Sequence, residues 1–147
     1  MKGHVCKVCG YISINGKAPD KCPVCHVGAD QFLEKEDAIT SIQDPSNPTE
    51  AEKKHTPAIT VVKECGLIPG ECTDVHVKVG EIQHPMADDH YIQHIDFYID
   101  REFISRVKLL PAKLNPAAAL HVKPGGGKLS VIESCTLHGQ WLSEADL

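Results

Sequence analysis

Four cysteines near the amino terminus constrain this chain more than any other feature of its sequence. They form two Cys-x2-Cys pairs, Cys6 with Cys9 and Cys22 with Cys25, with twelve residues between the pairs. Each pair can direct two thiolates at one point, and two pairs complete a tetrahedron that suits zinc or iron. Residues 1–35 hold too little apolar surface to fold alone, so a metal ion is expected to hold them together.

The composition is that of an ordinary globular protein. Of 147 residues, 41% are apolar and 24% are charged, and the formal net charge is -5. This charge argues against a nucleic-acid partner bound through bulk electrostatics. The start of the chain has no apolar signal region, and no apolar run approaches the roughly 20 residues of a membrane span. We therefore predict a cytoplasmic protein without a membrane partner, whose seven cysteines favour metal binding over disulfides.

The amino-acid composition changes at two points after residue 35. Residues 36–54 are polar and contain two prolines, which predicts a linker with room for a short helical turn. Over residues 55–147, short runs of β-branched and aromatic residues recur between Gly, Pro and Asp. They predict strands at Ala58–Lys63, Asp74–Gly80, Tyr91–Ile99, Phe103–Leu110, Ala117–Val122 and Lys128–Cys135.

Alternation of apolar and polar residues is clearest at Val75, Val77 and Val79 and predicts strands with one buried face. Six or more such strands favour an antiparallel sandwich. The fold prediction is therefore a mainly β chain: a small metal knuckle over residues 1–35, then a β-sandwich domain over residues 55–147.

A second set of candidate metal ligands lies in the predicted sandwich. Cys135 and His138 form a compact Cys-x2-His turn after a predicted strand, and His84 and His90 flank a short polar loop. His55 follows the predicted linker. A single histidine is more often a surface or hydrogen-bonded residue than a ligand, and that reading is kept for His4, His26, His76, His94 and His121.

The amino-terminal segment resembles the rubredoxin-like module, in the version attached to rubrerythrins. The motifs CKVCGYI and PDKCPVC and the later Phe32 carry the resemblance, which covers residues 4–33. It implies one iron ion on four cysteines, and we favour iron with zinc as the alternative. His26 stands where the family usually has glycine. Four thiolates on a divalent ion sum to a charge of -2, so such a site can pass electrons or hold structure but should not bind substrate.

The motifs KKHTPAI, VGEIQHPMADDHYIQHIDF and SVIESCTLHGQW resemble, in order and spacing, the iron domain of superoxide reductases, the desulfoferrodoxin and neelaredoxin family. The resemblance runs from about Lys53 to Trp141. It implies a seven-stranded immunoglobulin-like sandwich, a homodimer, and reduced rubredoxin or a similar electron donor. It also implies a square-pyramidal iron with four in-plane histidines and one axial thiolate, namely His55, His84, His90, His138 and Cys135.

The charge of such a site suits an anionic substrate. Four neutral imidazoles and one thiolate on ferrous iron sum to +1, and a sixth position would be open. We therefore expect detoxification of superoxide, with one electron and two protons giving one hydrogen peroxide. Lys54 matches a family lysine that attracts superoxide, which makes it a candidate catalytic residue. The four-Cys site is a candidate electron relay.

Four further residues depart from the family pattern or stand outside it. Lys53 replaces a glutamate that caps the oxidised iron in many members, so water, hydroxide or Glu52 is expected there. Thr136 replaces a frequent asparagine, and backbone N–H groups after Cys135 are expected to donate to its sulfur. Cys65 and Cys72 bracket a predicted hairpin, could lie across from each other, and are expected to be free thiols.

Two other classes of metalloprotein also fit the sequence. An electron-transfer protein without turnover could use iron, or copper on His84, Met86, Cys135 and His138. In copper proteins of that kind, however, the methionine normally follows the Cys-x2-His turn. A purely structural zinc protein is the other rival, although five ligands exceed the usual four of zinc.

Overall fold

The computed structural model describes residues 1–123 and 125–147 and consists almost wholly of β-strands. The first sheet is small and antiparallel, with strand order β2-β1-β3. Its strands are β1 (Gly3–Cys6), β2 (Ile12–Ser13) and β3 (Phe32–Lys35), and a 3-10 turn at Ala29–Gln31 precedes β3. This sheet and its loops, residues 3–35, are called the amino-terminal module below.

Seven further strands form the predicted immunoglobulin-like sandwich, which is thereby confirmed. They are β4 (Pro57–Val62), β5 (Thr73–Val79), β6 (Ile92–Ile99), β7 (Glu102–Lys108), β8 (Ala117–Val122), β9 (Lys128–Cys135) and β10 (Gly139–Asp146). One sheet has the order β10-β9-β6-β7 and the other β4-β5-β8, with every pairing antiparallel. The sequence does not predict β10, because GQWLSEAD contains no β-branched residue. β10 forms because it pairs with β9 along its full length.

The main core lies between the two sheets. The inward-facing valines of β5 pack there against Ile95, Phe97, Leu129 and Val131. A second core lies on the opposite face of the four-stranded sheet, where Tyr98 and Ile132 pack against the amino-terminal module. The prediction of one buried face per strand is therefore wrong for β6 and β9, because the module covers their outer face.

Polar contacts fix the amino-terminal module to the sandwich. The buried Asp96 accepts two hydrogen bonds from the Arg106 guanidinium, at 2.6 and 2.7 Å, and Arg106 also donates to the carbonyl of Cys9 at 2.7 Å. The Tyr98 hydroxyl donates to the Ile12 carbonyl at 2.7 Å. These bonds join side chains of β6 and β7 to the backbone of the module.

The segment predicted as a linker, residues 36–54, packs against the rest of the chain. Ile39 is buried, and Thr40 forms a parallel bridge with Trp141 of β10. The short helix α1 (Glu50–His55) begins at a capping box between Thr49 and Glu52. The predicted helical turn is thus a helix that ends on a candidate metal ligand.

No helix among the described residues is long and apolar enough to cross a membrane.

Candidate metal centres

The sulfurs of the four amino-terminal cysteines all lie within 4.8 Å of one another. The Sγ atoms of Cys6 and Cys25 are 3.6 Å apart, and those of Cys9 and Cys22 are also 3.6 Å apart. In each close pair, one sulfur comes from the first Cys-x2-Cys turn and the other from the second. This is the convergence that the spacing predicts for a tetrahedral site.

The two Cys-x2-Cys turns have the same backbone shape. The Gly10 N–H donates to the Cys6 carbonyl at 3.0 Å, and the His26 N–H donates to the Cys22 carbonyl at 3.0 Å. The residue after each pair has a positive φ, 71° at Gly10 and 66° at His26. A side chain in that conformation costs about 1 kcal/mol or more. The geometry thus explains why glycine is usual at the position of His26.

Backbone N–H groups point at the sulfurs of the four-Cys cluster. A hydrogen bond from the Val27 N–H lowers the pKa of Cys25 to about 7. Burial raises the pKa of Cys9, although the Tyr11 N–H opposes this by donating to its sulfur. Such donors stabilise thiolates, and they tune a metal bound to them. The four side chains therefore suit a thiolate-bound ion.

The second cluster arranges four imidazole rings in a square. Going round it, the order is His55, His84, His90, His138, and neighbouring ring centroids are 4.8, 4.6, 4.9 and 4.8 Å apart. The diagonal from His55 to His90 is longer, at 6.3 Å. Neighbouring rings stand at 70–81° to one another. Each ring is therefore edge-on to its neighbours and not stacked on them.

Backbone carbonyls orient two of the rings. The carbonyl of Ala51 accepts from Nδ1 of His55 at 2.7 Å, and that of Pro85 accepts from Nδ1 of His84 at 2.7 Å. Each Nδ1 must carry the proton, because a carbonyl only accepts. The Nε2 lone pairs therefore face the square, and Nε2 of His84 lies 3.4 Å from Sγ of Cys135. Such bonds commonly fix the tautomer of a metal-bound histidine.

The other two rings complete the inward-facing set. Nδ1 of His138 lies 3.1 Å from Nε2 of His55 and 3.7 Å from Sγ of Cys135. Nε2 of His90 is buried and has no hydrogen-bond partner in the described part of the chain. A buried nitrogen without a partner is rare unless an ion occupies the space. The residues therefore fit a metal bound by four nitrogens and one sulfur.

Burial keeps the second cluster in the form that binds a metal. It lowers the pKa of His84 to about 4 and also lowers the pKa of His55. Both rings are therefore neutral at pH 7, which metal binding requires. Burial raises the pKa of Cys135, while the N–H groups of Leu137 and His138 donate to its sulfur and oppose the rise. Backbone donation to this sulfur thus agrees with the prediction.

Thr136 has a different role from those donors. Its hydroxyl accepts from the Tyr91 N–H at 3.2 Å, and its own N–H donates to the Tyr91 carbonyl at 3.0 Å. These bonds tie the Cys-x2-His turn to the chain directly after His90. The two segments that carry four of the five candidate ligands, His84 with His90 and Cys135 with His138, are thereby joined.

Glu52 does not reach the second cluster. Its carboxylate accepts from the N–H of Thr49 at 2.7 Å, the hydroxyl of Thr49 at 2.8 Å and the N–H of Gln43 at 2.9 Å. It therefore caps the start of α1, and of the three expected caps of an oxidised iron, water and hydroxide stay as predictions that do not require these hydrogen bonds to break. Lys54 lies one residue before His55, is half-buried, and makes no ion pair among the described residues.

Two buried side chains near the second cluster have no role predicted from the sequence. Trp141 stacks on the His55 ring at 5.1 Å, and its N–H donates to the His138 carbonyl at 3.1 Å. Glu133 is fully buried, neither carboxylate oxygen has a partner in the described residues, and burial raises its pKa to about 9. It lies two residues before Cys135 on the same inward face of β9. That position in a strand of alternating apolar residues is the only sequence signal for it.

A β-sandwich that carries a four-histidine, one-cysteine cluster, joined to a four-cysteine module, defines a class of metalloprotein with two centres. The family model described as Desulfoferrodoxin matches residues 47–144, and the rubredoxin-like domain of rubrerythrin matches residues 4–33. The chain belongs to the desulfoferrodoxin family, with an amino-terminal rubredoxin-like domain. Both resemblances stated from the motifs are confirmed.

Several relatives cover most of the chain. A desulfoferrodoxin homolog of Archaeoglobus fulgidus is 29% identical over 143 residues, which are 97% of this chain and 96% of the relative. A superoxide reductase of Pyrococcus horikoshii is 31% identical over 65% of this chain and 88% of its own. The structure of a superoxide reductase from Nanoarchaeum equitans is 31% identical, with a TM-score of 0.57, over 74% of this chain and 99% of that one.

Proposed function

We propose that this protein reduces superoxide to hydrogen peroxide at an iron ion held by His55, His84, His90, His138 and Cys135. The observation that carries the proposal is the square of four inward-facing imidazoles with the buried sulfur of Cys135 beside it. Ferrous iron bound there would supply one electron. The balanced reaction is superoxide plus one electron plus two protons, giving hydrogen peroxide.

Substrate access is proposed from the side away from Cys135. Cys135 packs into the core between the sheets, whereas His90 is half-buried and His138 is exposed. The thiolate therefore approaches the square from the protein interior. In this proposal the exposed His138 and the half-buried His90 leave the opposite side open to a small anion and to protons.

Lys54 is proposed to attract superoxide to this open side. It precedes His55 at the end of α1, and its ammonium has no carboxylate partner among the described residues. A free ammonium adds to the positive charge of an iron bound by four neutral imidazoles and one thiolate. Positive potential raises the rate of encounter with an anion and falls away with added salt.

The copper alternative has less support. Met86 is partly buried and packs against the core between the sheets, with hydrophobic neighbours. The square of four nitrogens also exceeds the two histidines of a copper electron carrier. A purely structural zinc site is disfavoured by five converging donors.

The four-Cys cluster is proposed to hold iron and to pass electrons to the second site within one chain. The Gln140 side chain donates to the Gly10 carbonyl at 3.1 Å. Gly10 follows Cys9 directly, and Gln140 lies two residues after His138. One hydrogen bond thus connects a side chain next to the second cluster to the backbone next to the first. An external one-electron donor such as a reduced rubredoxin would reload the four-Cys site.

The proposal is tested by mixing anaerobically reduced protein with superoxide and following the iron absorbance. Oxidation of the second site by superoxide is expected in a single fast step. Lys54→Ala should slow that step and remove most of its dependence on salt. Lys53→Ala is the matched control, with an adjacent lysine on the same helix, and should change the rate less. A second site that stays reduced through repeated superoxide additions would contradict the proposal.

A further inference from the structure

A third group of metal-binding side chains lies outside both clusters described above. Sγ of Cys65, Sγ of Cys72, a carboxylate oxygen of Asp74 and a ring nitrogen of His121 all lie within 4.8 Å of one another. His121 Nδ1 is 2.7 Å from Asp74 Oδ1, 3.3 Å from Cys65 Sγ and 3.7 Å from Cys72 Sγ. The cysteines are not bonded to each other.

The register of the three-stranded sheet brings these residues together. Asp74 on β5 is directly opposite His121 on β8, so their side chains share the outer face of the sheet. Cys72 lies just before β5, and Cys65 follows β4. The Cys65 N–H donates to the Cys72 carbonyl at 3.2 Å, which closes the hairpin between the two strands.

Backbone donors also point at one of the sulfurs. The N–H groups of Leu67 and Ile68 each lie 3.4 Å from Sγ of Cys65. Backbone N–H donation to sulfur is the feature that the two turns of the four-Cys cluster show. Donors so placed stabilise a thiolate, which is the form of cysteine that binds metals.

We propose that Cys65, Cys72, Asp74 and His121 form a third metal site, which binds a divalent ion of the zinc class. Two sulfurs, one imidazole nitrogen and one carboxylate oxygen are the donors that zinc takes, in the number that a closed tetrahedral site needs. Magnesium and calcium prefer oxygen donors alone, so this set disfavours them. With both thiols ionised, zinc would leave the site with a charge of about -1.

The role of this site would be structural. A bound ion would join the hairpin between β4 and β5 to the neighbouring strand β8. The cysteines also line a surface groove of about 570 Å³, which gives an ion a route from solvent. His55 lies before β4 and Cys65 after it, and six strand residues span about 20 Å. The third site is therefore far from the proposed superoxide chemistry.

The test is to count metal ions per chain by native mass spectrometry. The full-length protein is purified anaerobically, both iron sites are filled, and zinc chloride is then added. Three ions per chain are expected for the natural sequence. Cys72→Ser and His121→Asn should each lose one ion and keep two. His76→Asn is the matched control, because His76 lies on the same sheet face, outside the cluster, and it should keep all three.

Cobalt in place of zinc gives a second readout. Tetrahedral cobalt on two thiolates is expected to show a sulfur-to-metal absorption band that Cys72→Ser removes. The iron absorbance of each variant reports whether the chain has folded, independently of the third site. Two ions per chain in the natural sequence, or three in both Cys72→Ser and His121→Asn, would overturn the proposal. A disulfide between Cys65 and Cys72 in anaerobically purified protein would also overturn it.

Discussion

The Nε2 atom of His55 lies 3.1 Å from the Nδ1 atom of His138, although 83 residues of chain separate the two histidines. The proton of His55 is on Nδ1, because that atom donates to the Ala51 carbonyl. The lone pair of Nε2 therefore faces a second ring nitrogen at close range. A cation shared by both nitrogens would bind two parts of the sandwich that are far apart in sequence.

Iron at the second cluster should therefore stabilise the folded chain. An ion that binds only the folded state adds about 4 kcal/mol when its free concentration is a thousand times its Kd. The measurement is urea denaturation under anaerobic conditions, with and without ferrous iron, on protein whose four-Cys site is already filled. His138→Ala should abolish the increase. An equal midpoint with and without iron in the natural sequence would argue against a bound ion at this cluster.

His94 should make the protein less stable in acid. Burial, reinforced by the positive charge of Arg106, lowers its pKa to about 3 in the folded state. The unfolded histidine titrates near 6.5, so only the unfolded chain takes up this proton between those values. Stability is therefore full above pH 6.5 and falls as the pH drops towards 3.

Replacement of His94 isolates that contribution from the other acid-sensitive groups. At pH 4.5, two units below the unfolded pKa, the loss from His94 is about 2–3 kcal/mol. Between pH 7 and pH 4.5, the free energy of unfolding should fall less in His94→Gln than in the natural sequence. The difference between the two decreases should be about 2–3 kcal/mol. His76→Gln, at an exposed position, should behave like the natural sequence. Identical pH dependence in His94→Gln would show that burial of this ring has no such effect.

Arg106 should be essential for attaching the amino-terminal module. It neutralises the buried Asp96 and donates to the Cys9 carbonyl. Arg106→Met would leave a buried carboxylate without its partner, which costs about 3–5 kcal/mol. The double variant Arg106→Met/Asp96→Leu should recover much of that loss, because no uncompensated charge remains. Urea denaturation, monitored at both iron centres, measures the free energy of unfolding of each variant.

The exposed Arg101 provides the control for this experiment. It donates one hydrogen bond of 3.3 Å to the Ile14 carbonyl of the same module. Arg101→Met should change stability by about 0.5 kcal/mol or less. If Arg101→Met and Arg106→Met were equally destabilising, general positive charge at this interface would explain the effect and the buried pair would not.

Thr136→Ala should lower stability without changing the electronic properties of the Cys135 sulfur. The threonine hydroxyl accepts from the Tyr91 N–H, while the sulfur receives its donors from the backbone of Leu137 and His138. Loss of the one hydrogen bond should cost about 1 kcal/mol. The reduction potential and the sulfur-to-iron absorption band should stay unchanged. A shifted potential at unchanged stability would assign the tuning to the threonine side chain.

The sequence predicts much of this structure because its strongest signals are local. Runs of β-branched and aromatic residues identify six strands of the sandwich, and the cysteine spacing identifies the first cluster. The second cluster depends on the resemblance, since His55 and His138 are too distant in sequence for spacing to join them. The family pattern is a poor guide to the group that caps an oxidised iron. It does not show that the Glu52 carboxylate already forms the capping box at the start of α1.

Features that depend on packing between the two parts of the chain are the ones that the sequence does not predict. β10 has weak strand propensity and forms because β9 offers it a full-length partner. Tyr98 and Asp96 alternate with core residues as exposed positions would, yet the amino-terminal module buries them. The sequence also does not predict the third group of candidate metal ligands, because strand register alone brings Asp74 and His121 opposite each other.

The central claim, reduction of superoxide at the second cluster, is tested most directly by counting products. Anaerobically reduced protein receives a known amount of superoxide, and hydrogen peroxide and dioxygen are measured together. The proposed reaction gives one hydrogen peroxide per superoxide and no dioxygen. Half a hydrogen peroxide and half a dioxygen per superoxide, with repeated turnover and no electron donor, would show dismutation and contradict the claim.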